Sequence, residues 1–339
     1  MNRDLVQLEE EILAPSAALI ADIKRIEGDI MLLGIGGKMG PSMGRLAVRA
    51  IREAGLSKRV IGVSRFSDNK VKSELEAYGI ETISCDLLNQ EELQQLPQVP
   101  NIIYLAGHKF GTTGNEDFTW AMNTYLPGMV AQHFRNSKIV AFSSGNVLPF
   151  VPVTSGGVSE ESSPEPVGEY AQSCLGRERI FQYFSKKNQT DVLIYRLNYA
   201  VDFRYGVLVE IAKAVLQNKP IDLRTENVNV IWQGDANEIA LRSLLHCEAP
   251  AKMLNVTGPE TLSTRWVAER FAAIFGKTAH FEHEPAGTAL LNNASECHRL
   301  FGYPRVTIRE AIDITARWLT EGGDLFNKDT HFQERGGKF

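Results

Sequence analysis

The sequence predicts an α/β fold built on a doubly wound parallel sheet, faced by a smaller, mainly helical C-terminal domain. Three observations carry this. Short apolar runs of strand length alternate with segments of helical period as far as about residue 197. A glycine-rich turn lies directly between the first of these runs and the helix after it. After about residue 198 the alternation gives way to helix-like segments with few strands between them.

Taken in order, Leu5, Leu8, Ile12 and Leu13 recur at helical spacing and a second short helix is expected over residues 16–26, so residues 1–28 read as a helical extension packed on the fold. Residues 30–33 are a continuous apolar run, and Met43, Leu46, Ala47 and Ala50 then share one side of a helix. Residues 60–63, 81–84, 102–106, 139–143 and 192–197 are further short strands. Strands separated by helices pair in parallel and are covered on both faces. Beyond them the sequence predicts helices over 205–217, 235–245, 264–275, 288–301 and 308–319, a short strand over 228–232, and a strand over 252–256 that returns to the main sheet. The expected organisation is therefore a dinucleotide-binding domain from 29–197 plus about 228–258, a substrate-binding domain from 198–227 plus 259–320, and a flexible tail over 321–339.

Composition narrows the function class. The chain has 339 residues, 23% charged and 43% hydrophobic, enough to bury one large core or two modest ones. A net charge of -5 and the lack of any basic run give no reason to expect nucleic acid. No stretch approaches the roughly 20 apolar residues of a membrane helix, and the acidic N-terminal segment does not read as a secretory leader. Cys85, Cys174, Cys247 and Cys297 are far apart, which fits neither a disulfide framework nor a zinc cage and points to a reducing, cytoplasmic compartment. The expected partner is a small-molecule substrate, and the expected assembly a homodimer.

Gly34-Ile35-Gly36-Gly37-Lys38-Met39-Gly40 spells G-x-x-G-x-x-G between a buried strand and a helix, the context a dinucleotide fingerprint requires. Gly34 permits the tight turn, Gly37 lets backbone approach a pyrophosphate, and Gly40 lets helix lie close to strand; the N–H groups of Lys38 and Met39 at the helix start face the anion. The second strand ends in Ser64-Arg65, where a protein selecting the 2′-hydroxyl form offers an acid. An arginine there can pair with a 2′-phosphate, so NADP is favoured over NAD. Asp86 and Leu87, after the third strand, lie where the adenine edge is expected, with a helix cap as the alternative use of Asp86.

Further segments follow the order of the extended short-chain dehydrogenase/reductases, the nucleotide-sugar epimerases and dehydratases among them, and the resemblance runs from Asp29 to about Leu319. Leu105-Ala106-Gly107 is similar to the segment beneath the nicotinamide ribose, and Met122-Asn123-Thr124 resembles the helix that supplies a structural asparagine, which adds Asn123 to the cofactor set. Phe142-Ser143-Ser144-Gly145-Asn146-Val147 resembles the fifth strand with its catalytic serine, Ser144. Glu169-Tyr170-Ala171-Gln172-Ser173-Cys174 is similar to the helix bearing the Y-x-x-x-K pair, so the resemblance makes Tyr170 the proton-transfer residue. Arg196-Leu197-Asn198, Trp232-Gln233-Gly234-Asp235 and residues 254–259 resemble the sixth strand, the turn into the interdomain helix and the returning strand. The resemblance implies a Rossmann fold, a nicotinamide cofactor and a carbohydrate-like substrate met by His108, Lys109, Asn146 and Asn198.

The sequence departs from the family at two positions. Cys174 stands where the lysine of Y-x-x-x-K is expected. That lysine binds the nicotinamide ribose and favours the tyrosinate; a free tyrosine, with a pKa of about 10, is a poor base at neutral pH. Lys109 and Arg177 are the candidates to replace it. Val228 occupies the place of an arginine seven residues before Asp235 that many nucleotide-sugar enzymes use, with Arg224 or Arg299 as substitutes, so a free sugar or sugar acid is an expected substrate beside a nucleotide sugar. The expectation is an NAD(P)-dependent oxidoreductase or epimerase, with a dinucleotide-binding sensor or scaffold as the rival. The His280–His283 pair lies in a strand entering a loop rather than on one helix face, and no metal is expected. An inert helical cysteine is the plain reading of Cys174 itself.

Overall fold

A computed structural model describes residues 7, 8, 10, 11, 13–326, 328 and 330–338. Seven strands, β1 (Ile30–Leu33), β2 (Val60–Ser64), β3 (Glu81–Ser84), β4 (Asn101–Tyr104), β5 (Lys138–Ser144), β6 (Val192–Leu197) and β7 (Lys252–Val256), form one sheet in the order β7-β6-β5-β4-β1-β2-β3. Every pairing in it is parallel. The chain winds outward from β1 to β3, crosses to β4 and winds the other way, so the carboxyl ends of β1 and β4 flank the crevice at the switch point.

The helices in chain order are α1 (Ala17–Arg25), α2 (Gly40–Glu53), α3 (Asn69–Tyr78), α4 (Gln90–Gln94), α5 (Glu116–Trp120), α6 (Leu126–His133), α7 (Gly168–Asn188), α8 (Val207–Leu216), α9 (Gln233–Arg242), α10 (Thr264–Phe275), α11 (Ser295–Phe301) and α12 (Ile308–Thr320). Alternation along β1 divides them into layers. Ile30 and Leu32 pack with Leu19 of α1, Met43 of α2 and Ile239 of α9, whereas Met31 and Leu33 pack with Leu93 of α4, Val130 of α6 and Phe181 of α7. Burial on both faces is why β1, β2 and β4 read as near-continuous apolar runs, whereas the edge strand β3 is exposed at Glu81 and Ser84. A second core joins α8, α10 and α12 around Phe271 and Trp318. Val228, Val230 and Trp232 pack in this second core, while Ile231, Ala236, Ile239, Leu254 and Val256 pack in the first.

Several expectations differ from the structure. The helix expected over 288–301 is confined to α11, because Thr288–Ala289 pairs with Val151–Pro152 and Asn292 bridges Val158. The strand expected over 228–232 is two short pieces, Asn227–Val228 and Ile231–Trp232, which pair with different partners. Residues 330–337 of the expected tail pack on the body of the molecule. After α12 the chain turns back across the molecule, with Thr330 4% and Phe332 3% exposed. In the N-terminal extension, Leu5 and Ile12 lie outside the described residues, while α1 forms as expected, capped by Ser16.

Candidate active site

The glycine turn behaves as its spacing requires. Gly34 has φ of 88°, and a Cβ there would lie 2.8 Å from the Ala106 nitrogen. At Gly40 a Cβ would lie 2.1 Å from the Ile35 carbonyl oxygen, so α2 starts hard against the turn. Gly37 is different: its Cβ would meet only the Gly34 oxygen, at 3.4 Å, which leaves open space on the groove side. The first turn of α2 has no side-chain cap, so its N–H groups are available to an anion. From here a groove of about 300 Å³ runs past Gly34, Gly37, Ser64, Arg65, Asp86 and Leu87 on one wall and Leu105, Ala106 and Gly107 on the other. These residues fit the pyrophosphate, ribose and adenine of a dinucleotide.

Two residues of the expected cofactor set turn their side chains away from the groove. Lys38 points its ammonium to the Ala200 carbonyl (2.8 Å) and over the Tyr205 ring (3.8 Å), tying the glycine turn to the loop after β6; burial lowers its pKa to about 7. Asn123 is wholly buried in a π turn, Ala121–Tyr125, between α5 and α6. Its Oδ1 accepts from the His108 N–H (2.8 Å), and its amide donates to the His108 carbonyl (2.8 Å) and Ser173 Oγ (3.0 Å). It therefore positions the loop after β4 rather than touching the groove.

The expected catalytic residues converge at the end of β5. Ser144 Oγ lies 3.0 Å from Asn146 Oδ1 and accepts from the Asn146 N–H at 3.1 Å. One turn of α7 separates Tyr170 from Cys174. The Tyr170 hydroxyl is hydrogen-bonded to the side chains of both Ser144 and Cys174; burial pushes its pKa well up, and the Ser144 bond and Arg177 charge pull it back only in part. Cys174 is fully buried among Val147, Leu148 and Val158, and burial raises its thiol too, which makes it inert rather than nucleophilic.

The cation beside this group is Arg177, one further turn along α7. Its guanidinium donates to the Phe142 carbonyl (2.8 Å), the Asn123 Oδ1 (2.6 Å) and the Asn123 carbonyl (3.4 Å). It also packs against the loop after β4, where a Cβ on Gly107 would lie 2.6 Å from Nη2. Burial works against its charge, but Cys174, Tyr104, Tyr170 and Glu178 outweigh that and hold its pKa above the ordinary value. Lys109 approaches from the other side, with Nζ 5.5 Å from the centre of the Tyr170 ring, and burial lowers its pKa to about 8.

The remaining expected substrate contacts separate. Asn146 borders the cleft. His108 is half-buried, with Nδ1 3.0 Å from Thr119 Oγ1 and its ring edge-on to Phe118; burial lowers its pKa. Asn198 turns inward, 2% exposed, and spends its amide on Asn229 Oδ1 (2.8 Å) and the Leu290 carbonyl (3.4 Å). Of the suggested substitutes for the arginine absent at 228, Arg224 is bound to Asp222 and Arg299 to Glu296. His283 meets Asp222 at 3.3 Å, and among the described residues no three His, Cys, Asp or Glu side chains form a metal-sized group. Residues 330–337, which sequence reasoning assigned to a tail, border the cleft as well; nothing local in the sequence marks them, since most of their bonds run through backbone groups.

Residues 31–233 match the model of the NAD dependent epimerase/dehydratase family. No curated protein sequence matches the chain. Among solved structures, UDP-glucuronic acid 4-epimerase from Bacillus cereus in complex with NAD is 17% identical, with a TM-score of 0.71 over 86% of this chain and 99% of that one. A dTDP-glucose 4,6-dehydratase from Streptomyces venezuelae with NAD and TYD bound, 17% identical, gives 0.73 over 86% and 97%. UDP-glucose 4-epimerase of Thermus thermophilus complexed with NAD, 19% identical, gives 0.67 over 85% and 98%. At these identities the likeness is one of fold. Among the described residues no helix is long and apolar enough to cross a membrane.

Proposed function

The chain belongs to the NAD-dependent epimerase/dehydratase family, and from that membership we propose that it is an NAD(P)-dependent epimerase or oxidoreductase acting on a carbohydrate alcohol or ketone. The observation that carries the reading is the cluster of Ser144, Tyr170 and Arg177 beside the dinucleotide groove. A bound nicotinamide dinucleotide supplies hydride acceptance and donation at the carbon that bears the reacting oxygen.

The chain's own groups handle the proton. Ser144 and Tyr170 hydrogen-bond the reacting oxygen, and the Tyr170 phenol carries the proton to or from it. With the lysine of the family pattern replaced by Cys174, Arg177 supplies the fixed positive charge that a tyrosinate needs, delivered from the next turn of the same helix. Because burial favours the protonated phenol, Tyr170 is better prepared as an acid than as a base until a substrate and cofactor fill the site. Lys109 and Asn146 border the substrate cleft and serve as its polar contacts.

Arg65 at the end of β2 supports a preference for NADP: Arg65→Ala weakens NADP selectively, and equal loss for both cofactors would remove that argument. The four cysteines are unpaired, in keeping with the cytoplasm. Cys174 at the lysine position also supports a second reading, a dinucleotide-binding sensor without hydride chemistry. The deciding experiment mixes the protein with NADP or NAD and a panel of sugars, sugar acids and nucleotide sugars, following nicotinamide absorbance and analysing products for epimers. Turnover on a member of the panel is expected. Tight cofactor binding without turnover on any of them would favour the sensor.

A further inference from the structure

After α12 the chain returns as a strap between the two cores, reaching Lys109, which lies over the Tyr170 ring, and the residues at the start of α7. On the side of the smaller domain, the Thr330 N–H donates to the Glu210 carboxylate, and Phe332 is buried in the second core, its carbonyl accepting from the Tyr199 hydroxyl at 3.5 Å. On the opposite wall, the Thr330 carbonyl accepts from Lys109 Nζ at 3.3 Å. Arg335 donates to the Thr288 carbonyl at 2.8 Å and stacks 4.3 Å over the Phe150 ring. Gly337 lies against the residue before α7: a Cβ there would be 2.3 Å from the Val167 oxygen. Between the strap and Asn146, Leu148 and Leu290 the remaining cavity is about 10 Å³, room for about one water.

The groove ends at Gly107, two residues before Lys109, whose ammonium lies 5.5 Å from the centre of the Tyr170 ring and is held by the strap, so a substrate arm that reaches past Lys109 meets the strap. A free monosaccharide is short; a nucleotide sugar is not. Lys109 in this cleft now meets a neutral carbonyl of the strap, for which a diphosphate oxygen is the stronger partner. His331, the second residue of the strap, adopts φ of 55°, a left-handed conformation that a non-glycine residue holds only while its surroundings enforce it.

We propose that residues 330–337 are an internal competitor for the substrate cleft: seated, they occupy the space that a nucleoside-diphosphate arm needs, and a nucleotide sugar binds only as they leave. This rests on the reading that Tyr170 faces a carbohydrate substrate. A competing segment lowers apparent affinity by the fraction of molecules in which it is unseated.

The test uses UDP-glucose as probe, at saturating NADP, on the full chain and on the full-length double variant Arg335→Ala/Gly337→Ala. The first change removes the Thr288 and Phe150 contacts, and the second drives a methyl group into the Val167 carbonyl; neither touches the dinucleotide groove. UDP-glucose is expected to bind the double variant about tenfold more tightly or better, with NADP affinity unchanged, and to speed hydrogen exchange at residues 330–337 of the unmodified protein. A double variant that keeps its NADP affinity but binds UDP-glucose no more tightly overturns the proposal. So does slower exchange at 330–337 on binding, which would make the segment a lid that closes over substrate. Because both readouts are of binding, a strap that fails leaves the hydride-transfer reading standing. Strap release by UDP-glucose in a protein without turnover on any sugar would refute that reading and keep the strap.

Discussion

At Cys174 and Arg177 the chemistry turns on two side chains one helical turn apart. The local patterns around Ser144 and Tyr170 are short and contiguous, so the sequence alone points to them and to Cys174 one helical turn beyond Tyr170. It could offer Arg177 only alongside Lys109, because choosing between them needs the path of a guanidinium folded back over Asn123 and Phe142. The buried networks of Asn198 and Asn123 are hidden from the sequence for the same reason: an amide's partner there lies far away in the chain. If Arg177 is the replacement cation, restoring the lysine should do harm. In Cys174→Lys a second ammonium would be buried among Val147, Leu148 and Val158 beside an existing guanidinium. A loss of stability on the order of 3 kcal/mol and no gain in turnover are expected. Thermal melting and the sugar-panel assay check this; higher turnover at unchanged melting temperature would assign Arg177 a purely structural role.

The elements divide by how local their causes are. Strands buried on both faces announce themselves as apolar runs, and β1 to β7 fall within a few residues of their expected positions. The π turn over Ala121–Tyr125 is invisible because its residues read as ordinary helix, and the segment before α11 misleads because its period is helical while its pairing with Val151–Pro152 is set by tertiary contact. Within the glycine turn the structure separates two roles that the motif merges. Gly40→Ala forces a methyl into the Ile35 carbonyl and should cost about 1–3 kcal/mol of stability. Gly37→Val should fold with a near-normal melting temperature and lose at least about tenfold in dinucleotide affinity, because its side chain enters only the groove. Thermal melts and NADP titrations of the two variants distinguish the roles; equal melting losses would mean that Gly37 is also a packing glycine.

On the scale of the whole molecule, what the sequence hid is what joins distant parts. The strap is held by pairs more than a hundred residues apart, such as Lys109 with Thr330 and Thr330 with Glu210, and its residues are polar and glycine-rich enough to read as a tail. The surface of α5, the π turn and α7 is the other long-range feature. Tyr125 is 62% and Tyr183 55% exposed there, beside a depression of about 1030 Å³ lined by Trp120, Tyr125 and Phe184. In the proposed reaction the proton passes through the phenol oxygen of Tyr170, which Ser144 and Cys174 hold. The most direct measurement is therefore the turnover of Tyr170→Phe against the unmodified protein, at matched cofactor saturation and on the best substrate of the panel. The account expects a fall of about 10²–10⁴-fold with cofactor affinity nearly unchanged. Turnover that survives the substitution undiminished would contradict it.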